Sequence, residues 1–212
     1  LSGHDIGGDA AWDLALAHPD VWAGALPIVA VADRYCTHYW QNAKNVPLYF
    51  VAGEFDGNKM KKNARSLDRY LRTRFDTTVA EYLGRGHEPF SDEIQRLFDW
   101  MSRRKREFFP KEFECVTMRR WDNYFWWSEV DGMPERTMVE PTEDLPRNPR
   151  PLKIHMNVTA TNGIRIQSGS KRTTIWLAPE LIDFGRRIRI NVDGHRVDSR
   201  KKSFRPDLAI LL

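Results

Sequence analysis

Three side chains in the first half of the chain are of types that attack carbon or move protons: Asp5, Asp56 and His87. Each follows a strand-like segment and sits among glycines, in Gly3-His4-Asp5-Ile6-Gly7-Gly8, Gly53-Glu54-Phe55-Asp56-Gly57-Asn58 and Gly84-Arg85-Gly86-His87-Glu88. A histidine titrates near neutral pH, so it can take a proton and return it. A carboxylate bonded to one ring nitrogen fixes the tautomer and favours the charged ring. A second acidic group, carried on a sharp glycine turn, can act as a nucleophile. Asp56 is preferred to Glu54 as the orienting carboxylate because it follows the strand end and precedes Gly57-Asn58. His4 reads as a packing residue beside the turn, His18 as a helix end next to Pro19, and Glu88 and Asp33 as loop carboxylates. His38, Tyr39 and Trp40 fit either a pocket wall or the packing of a surface helix. None of these groups has the repeated interval of metal ligands, so neither a metal nor a cofactor is expected.

Such side chains need rigid elements to aim them. Residues 7–18 read as a helix with Ala10, Ala11, Leu14, Ala15 and Ala17 as its apolar stripe, stopped by His18-Pro19. Residues 25–32 and 46–52 are unbroken apolar runs, the pattern of strands buried on both faces. Residues 34–44 read as a helix or loop, 59–75 as an amphipathic helix and 77–83 as a third strand. Residues 91–106 read as a last helix, capped by Ser91 and ended by Arg103, Arg104, Lys105 and Arg106 against the negative end of its dipole. The alternation predicts an open parallel sheet flanked by helices, in which functional groups collect at the carboxyl ends of the strands.

After Pro110 the texture changes. Residues 113–119, 123–130, 153–160, 163–167, 173–177 and 188–192 read as short strands, with turn signals at Asn162-Gly163, Ser168-Gly169-Ser170 and Asp193-Gly194. Residues 134–151 hold five prolines and read as a long loop. The expectation is a small antiparallel β domain, sandwich-like, over residues 108–212, after a first domain over 1–107. Trp121, Tyr124, Phe125, Trp126 and Trp127 form an aromatic cluster that suits either a stacking platform or a core and domain interface. Arg186, Arg187, Arg189, Arg196, Arg200, Lys201, Lys202 and Arg205 form a basic stretch, suited to an anionic surface or to the solvated face of an edge hairpin.

Composition narrows the classes. The 212 residues are 41% hydrophobic and 29% charged, with a mean hydropathy of −0.59, a globular balance. No apolar run reaches the length of a membrane span. Residues 1–106 carry 15 basic and 14 acidic side chains and the remainder 18 and 15. Charge this evenly spread argues against a dedicated nucleic-acid binder. Cys36 and Cys115 stand one in each half, which makes no disulfide framework.

On Gly3-His4-Asp5-Ile6-Gly7-Gly8 with Ala11-Trp12 and His18-Pro19-Asp20, on Gly53-Glu54-Phe55-Asp56 and on Gly86-His87-Glu88, residues 1–106 resemble the α/β-hydrolase family. The resemblance is nearest to its prolyl-oligopeptidase-like and dienelactone-hydrolase-like esterases and peptidases. It implies an α/β fold made of the C-terminal half of the family's doubly wound parallel sheet. It makes Asp5 the occupant of the nucleophile elbow, with small residues needed at positions 3 and 7. It makes His87 the general base, Asp56 its orienting carboxylate and the Ile6 backbone N–H one oxyanion donor, acting on a small-molecule ester or peptide. The family's second donor comes from an early strand–helix loop, and the strand-end start at Leu1 leads to the expectation that an N-terminal half of the same protein precedes it.

The sequence departs from that pattern at the nucleophile, where esterases and peptidases carry Ser and this chain carries Asp5. Carboxylate attack on an ester would give a mixed anhydride, whereas at saturated carbon it gives an alkyl ester that His-activated water can cleave, as in epoxide hydrolases and haloalkane dehalogenases. Those enzymes carry Trp after the nucleophile, where this chain has Ile6, and insert a helical cap for which the 51 residues from Asp5 to Asp56 leave no room. Three readings stay open: an esterase or peptidase scaffold with its nucleophile substituted, an Asp-nucleophile hydrolase, and a non-catalytic binding protein. The compartment is not legible.

Overall fold

The uninterrupted apolar run at residues 48–53 marks the centre of the first half, because a strand needs no polar face when helices cover both sides. In the computed structural model that run is β3 (Leu48–Gly53), and every residue in it is buried. The structure describes residues 1–197 apart from 34, 141, 143 and 147. β1 (Ser2–His4), β2 (Leu26–Ile28), β3 and β4 (Thr77–Tyr82) form a parallel sheet in chain order, with Gly3 opposite Pro27, Ile28 opposite Val51 and Phe50 opposite Val79. Leu48 and Phe50 face a core with Trp12, Leu16, Leu67 and Tyr70, from α1 (Ile6–Ala17) and α2 (Lys59–Arg72). Tyr49 and Val51 face the opposite core with Leu26, Leu97 and Trp100, the last two from α3 (Ile94–Ser102). Alternation along one strand thus supplies both layers. Buried Glu93 accepts hydrogen bonds from Tyr49 and Tyr82, which clamps β3 and β4 to the start of α3.

Several elements differ from the sequence expectation. β2 ends at Ile28 because Val29 takes φ 56, which breaks the ladder. The amides beyond it are satisfied by side chains instead: Val31 N–H donates to Asp9 and Ala32 N–H to Asn63. In α1, Trp12 and Leu16 face inward while Leu14 is exposed, so the buried stripe is rotated from the expected one. Ser91 opens a 3-10 turn rather than capping a helix, and α3 stops at Ser102. Arg104 lies beyond it and is tied to Asp76 and the Trp100 ring.

The second half packs two sheets around one core. β5 (Glu112–Thr117), β8 (Leu152–Thr159), β9 (Gly163–Gln167), β11 (Arg189–Val192) and β12 (His195–Val197) form one, in the order β12-β11-β9-β8-β5. β6 (Tyr124–Phe125), β7 (Ser128–Asp131) and β10 (Arg172–Ile175) form the other. Phe125, Trp127 and Val130 from the second sheet meet Phe113, Ile154, Met156, Ile164 and Ile166 from the first. The expected antiparallel domain needs one correction: β9 and β11 run parallel, because the chain from 168 to 188 crosses to β10 and returns instead of making a hairpin. The aromatic cluster divides, with Phe125 and Trp127 in the core and Trp121 and Tyr124 exposed. The two halves also touch. Val116, Met118 and Val139 enter the first core, and the Asn42 side chain exchanges hydrogen bonds with both backbone groups of Val116. The basic residues after 197 lie outside the described residues.

Candidate active site

The strand-to-helix turn at Asp5 is set by crowding. A Cβ on Gly3 would lie 1.9 Å from the Gly7 carbonyl oxygen, and one on Gly8 would lie 2.5 Å from that of Ile28. Only glycine admits those approaches. A Cβ on Gly7 would meet nothing, so the expected need for a small residue there is corrected: position 8 carries it, because α1 leans on β2 at that residue. Asp5 itself takes φ 53 and ψ −120, a strained conformation for a residue with a side chain. It is held there by its N–H donating to Ile28 O (3.0 Å) and by its carbonyl accepting from Asp9 N–H (2.9 Å). The turn presents the Asp5 side chain half-exposed beyond the end of β1.

Asp56 and His87 arrive from β3 and β4. Gly53 lets the His87 loop lie against the β3 end, since a Cβ there would sit 2.3 Å from Gly86 O, and Phe55 N–H donates to Arg85 O at 2.8 Å. His87 Nδ1 lies 3.1 Å from Asp56 Oδ1. Asp56 is buried and His87 half-exposed. The structure places Asp56 on the histidine, while Glu54 turns away and accepts the Gly84 N–H. His4 contacts the His87 ring edge-on at 5.2 Å, and its Nε2 lies 2.8 Å from Glu88 O, so it steadies the loop. Glu88 is ion-paired with Arg85. Tyr39 is buried and bonded to Asp122, and Trp40 stacks on Phe75, so both pack the half-to-half junction and first core.

A fourth residue joins the three. Lys59, the first residue of α2, places Nζ 2.7 Å from Asp5 Oδ1, 3.4 Å from Asp56 Oδ2 and 3.0 Å from Val29 O. The hydrogen bond from Lys59, together with its charge, that of His87 and the Ile6 N–H, holds the Asp5 carboxyl below its ordinary value. Burial works against the Lys59 charge, but Asp5 and Asp56 outweigh it and raise its pKa. A signal for Lys59 did exist in the sequence. α2 opens Lys-Met-Lys-Lys, with no acidic residue in its first turn, against the sense of the helix dipole. Such a start needs compensation from outside the helix, and Asp5 and Asp56 provide it.

Asp13, Asp33 and Cys36 bring potential ligand atoms within 4.8 Å of one another, a grouping that spacing did not reveal. Asp13 is held by Arg119 at 2.8 Å, Asp33 accepts the Tyr35 and Cys36 amides, and burial pushes the Cys36 thiol well up. The Arg119 guanidinium already seated on Asp13 and the backbone amides on Asp33 leave the set poorly suited to a cation.

No protein-family model matches the chain, and no curated protein matches its sequence. Solved structures do. A thermostable esterase is 17% identical at TM-score 0.41, over 50% of this chain and 30% of its own. Zea mays acyl-protein thioesterase 2 is 18% identical at TM-score 0.41, over 48% and 53%. S-formylglutathione hydrolase from Staphylococcus aureus is 20% identical at TM-score 0.38, over 47% and 49%. The matches thus span from 30% to 53% of those proteins. In this chain's own geometry, strands β1, β3 and β4 of one parallel sheet deliver Asp5, Asp56 and His87 in that order at their carboxyl ends. Residues 1–106 thus hold a four-stranded parallel sheet with helices packed on both faces and these three side chains at its strand ends.

Proposed function

We propose that residues 1–107 are the site-bearing unit of an esterase-type α/β-hydrolase relative that does not perform acyl transfer, and that residues 108–212 are its accessory unit. In this reading Asp5 fills the nucleophile elbow as an ion pair with Lys59, while Asp56 and His87 keep the acid–histidine contact of a triad. The observation that carries it is the 2.7 Å contact between Lys59 Nζ and Asp5 Oδ1. A serine there would pass its proton to His87 and attack an acyl carbon. The Asp5 carboxylate has no proton to pass, is neutralised by Lys59 and is a weak acyl nucleophile. Turnover of p-nitrophenyl acetate and labelling by a fluorophosphonate test the proposal. The unmodified chain is expected to show neither, and Asp5→Ser is expected to gain a label that is lost again on His87→Ala. Ester turnover by the unmodified chain that disappears in Asp5→Asn would overturn it.

One observation favours a second reading. Asp5 is half-exposed and held ionised, which suits displacement at saturated carbon. In that reaction an Asp5 oxygen forms the new bond to carbon and the leaving group departs with the electron pair. His87 would then activate the water that cleaves the alkyl ester. A His87→Ala chain incubated with epoxides and haloalkanes would accumulate the ester on the Asp5 peptide, visible by mass. Its appearance would replace the first reading.

A further inference from the structure

The outer face of the five-stranded sheet carries charge in a gradient that strand register lays out. At the β5 edge the signs alternate and cancel, with Lys153 3.0 Å from Glu114 and His155 Nε2 3.0 Å from Glu112. Toward the β12 edge the face becomes basic. Arg165 on β9 is opposite Asn191 on β11, which is opposite Arg196 on β12. Arg189 lies two residues before Asn191, on the same face by strand alternation, and Arg187 precedes the strand. With Thr159, these residues line a groove of about 520 Å³.

Two properties of this groove point to one kind of ligand. No Asp or Glu lines it among the described residues. Among the described residues, Arg165, Arg187 and Arg189 form no ion pair, although arginines elsewhere do, Arg85, Arg104, Arg119 and Arg120 among them. Neighbouring strands stand roughly 5 Å apart, so these guanidinium groups can fork onto adjacent oxyanions of one molecule. Among the described residues the lining also lacks aromatic side chains, so they offer no platform on which a base or sugar ring would stack. We propose that this groove binds a compact polyanion carrying two or more phosphate or sulfate groups, held chiefly by Arg165, Arg187 and Arg189. This inference is independent of the chemistry at Asp5.

Calorimetric titration of the whole chain with tripolyphosphate and with sucrose octasulfate tests it and separates the two sources. Saturable binding of either one, weakening as salt rises, is expected. The double variant Arg165→Gln/Arg189→Gln should lower the affinity roughly tenfold or more. Arg65→Gln, an exposed arginine on α2, should leave it unchanged. Amide shifts on binding should cluster on β9 and β11, a readout that holds even if the double variant folds poorly. Absence of binding by both compounds, undiminished affinity in a folded double variant, or shifts centred on Lys59 would each overturn the proposal.

Discussion

Two chains of charge in this molecule are built from the same parts and differ in surroundings. At the strand ends, His87 meets Asp56 at 3.1 Å, Asp56 lies 3.4 Å from Lys59, and Lys59 meets Asp5 at 2.7 Å. At the junction of the two halves, His18 lies 3.4 Å from Asp122, Asp122 is bonded to Arg119, and Arg119 meets Asp13 at 2.8 Å. Both read histidine, carboxylate, cation, carboxylate. The second is sunk in the interface, with Asp122 and Arg119 both buried and the Tyr39 hydroxyl donating to Asp122. None of its four residues takes a positive φ. The first is open to solvent at Asp5 and His87 and begins on a strained turn. Strain at such a backbone position costs about 1–3 kcal/mol, and an ion pair screened by solvent at Asp5 adds little against it. Strained and exposed groups at strand ends fit a site, and buried groups between halves fit a structural joint.

The comparison breaks most visibly if both clusters are cut alike. Asp122→Ala leaves Arg119 buried with one partner fewer and is expected to cost about 3–5 kcal/mol. Lys59→Met is expected to stay within about 1 kcal/mol. Urea unfolding of both variants measures this, and equal losses would erase the distinction. Next in size is the crowding behind the turn. Gly3→Ala should cost about 1–3 kcal/mol, since its Cβ must displace the Gly7 carbonyl, while Gly7→Ala should be neutral or stabilise α1 by up to about 1 kcal/mol. The same unfolding assay reads both. The smallest effect is pH-dependent. The hydrogen bond to Asp122 raises the His18 pKa above its ordinary 6.5, against the opposing effect of burial. A group raised in the folded state contributes stability that is complete below its unfolded value and lost as pH rises through its folded value. The urea midpoint should thus decline as pH rises from about 6.5, and His18→Gln should remove that part of the slope.

How much of this was legible depended on how local the signal is. β3 and β4 appear near their expected bounds because each is read within one segment, β3 from its apolar run up to Gly53 and β4 from its β-branched start up to Gly84. β2 was overestimated because its end depends on Val29, whose carbonyl is taken by Lys59 and whose amide is taken by Val51. Asp5, Asp56 and His87 were visible because each marks its own strand end. Lys59 is legible only as a basic helix start set against the dipole, because the partner that explains it, Asp5, lies 54 residues away in sequence. The junction was equally hidden, since Asp13 and Arg119 are 106 residues apart. The parallel pairing of β9 with β11 escaped because the excursion through β10 belongs to a different sheet.

The central claim is that Asp5 is held as an ionised partner of Lys59. Carbon-detected NMR of the Asp5 carboxyl through an acid titration, in the unmodified chain and in Lys59→Met, tests it most directly. The midpoint is expected below the ordinary carboxylate value of 3.8 in the unmodified chain and should move upward in Lys59→Met, with the Asp56–His87 contact intact. Coincident midpoints in the two proteins would contradict it.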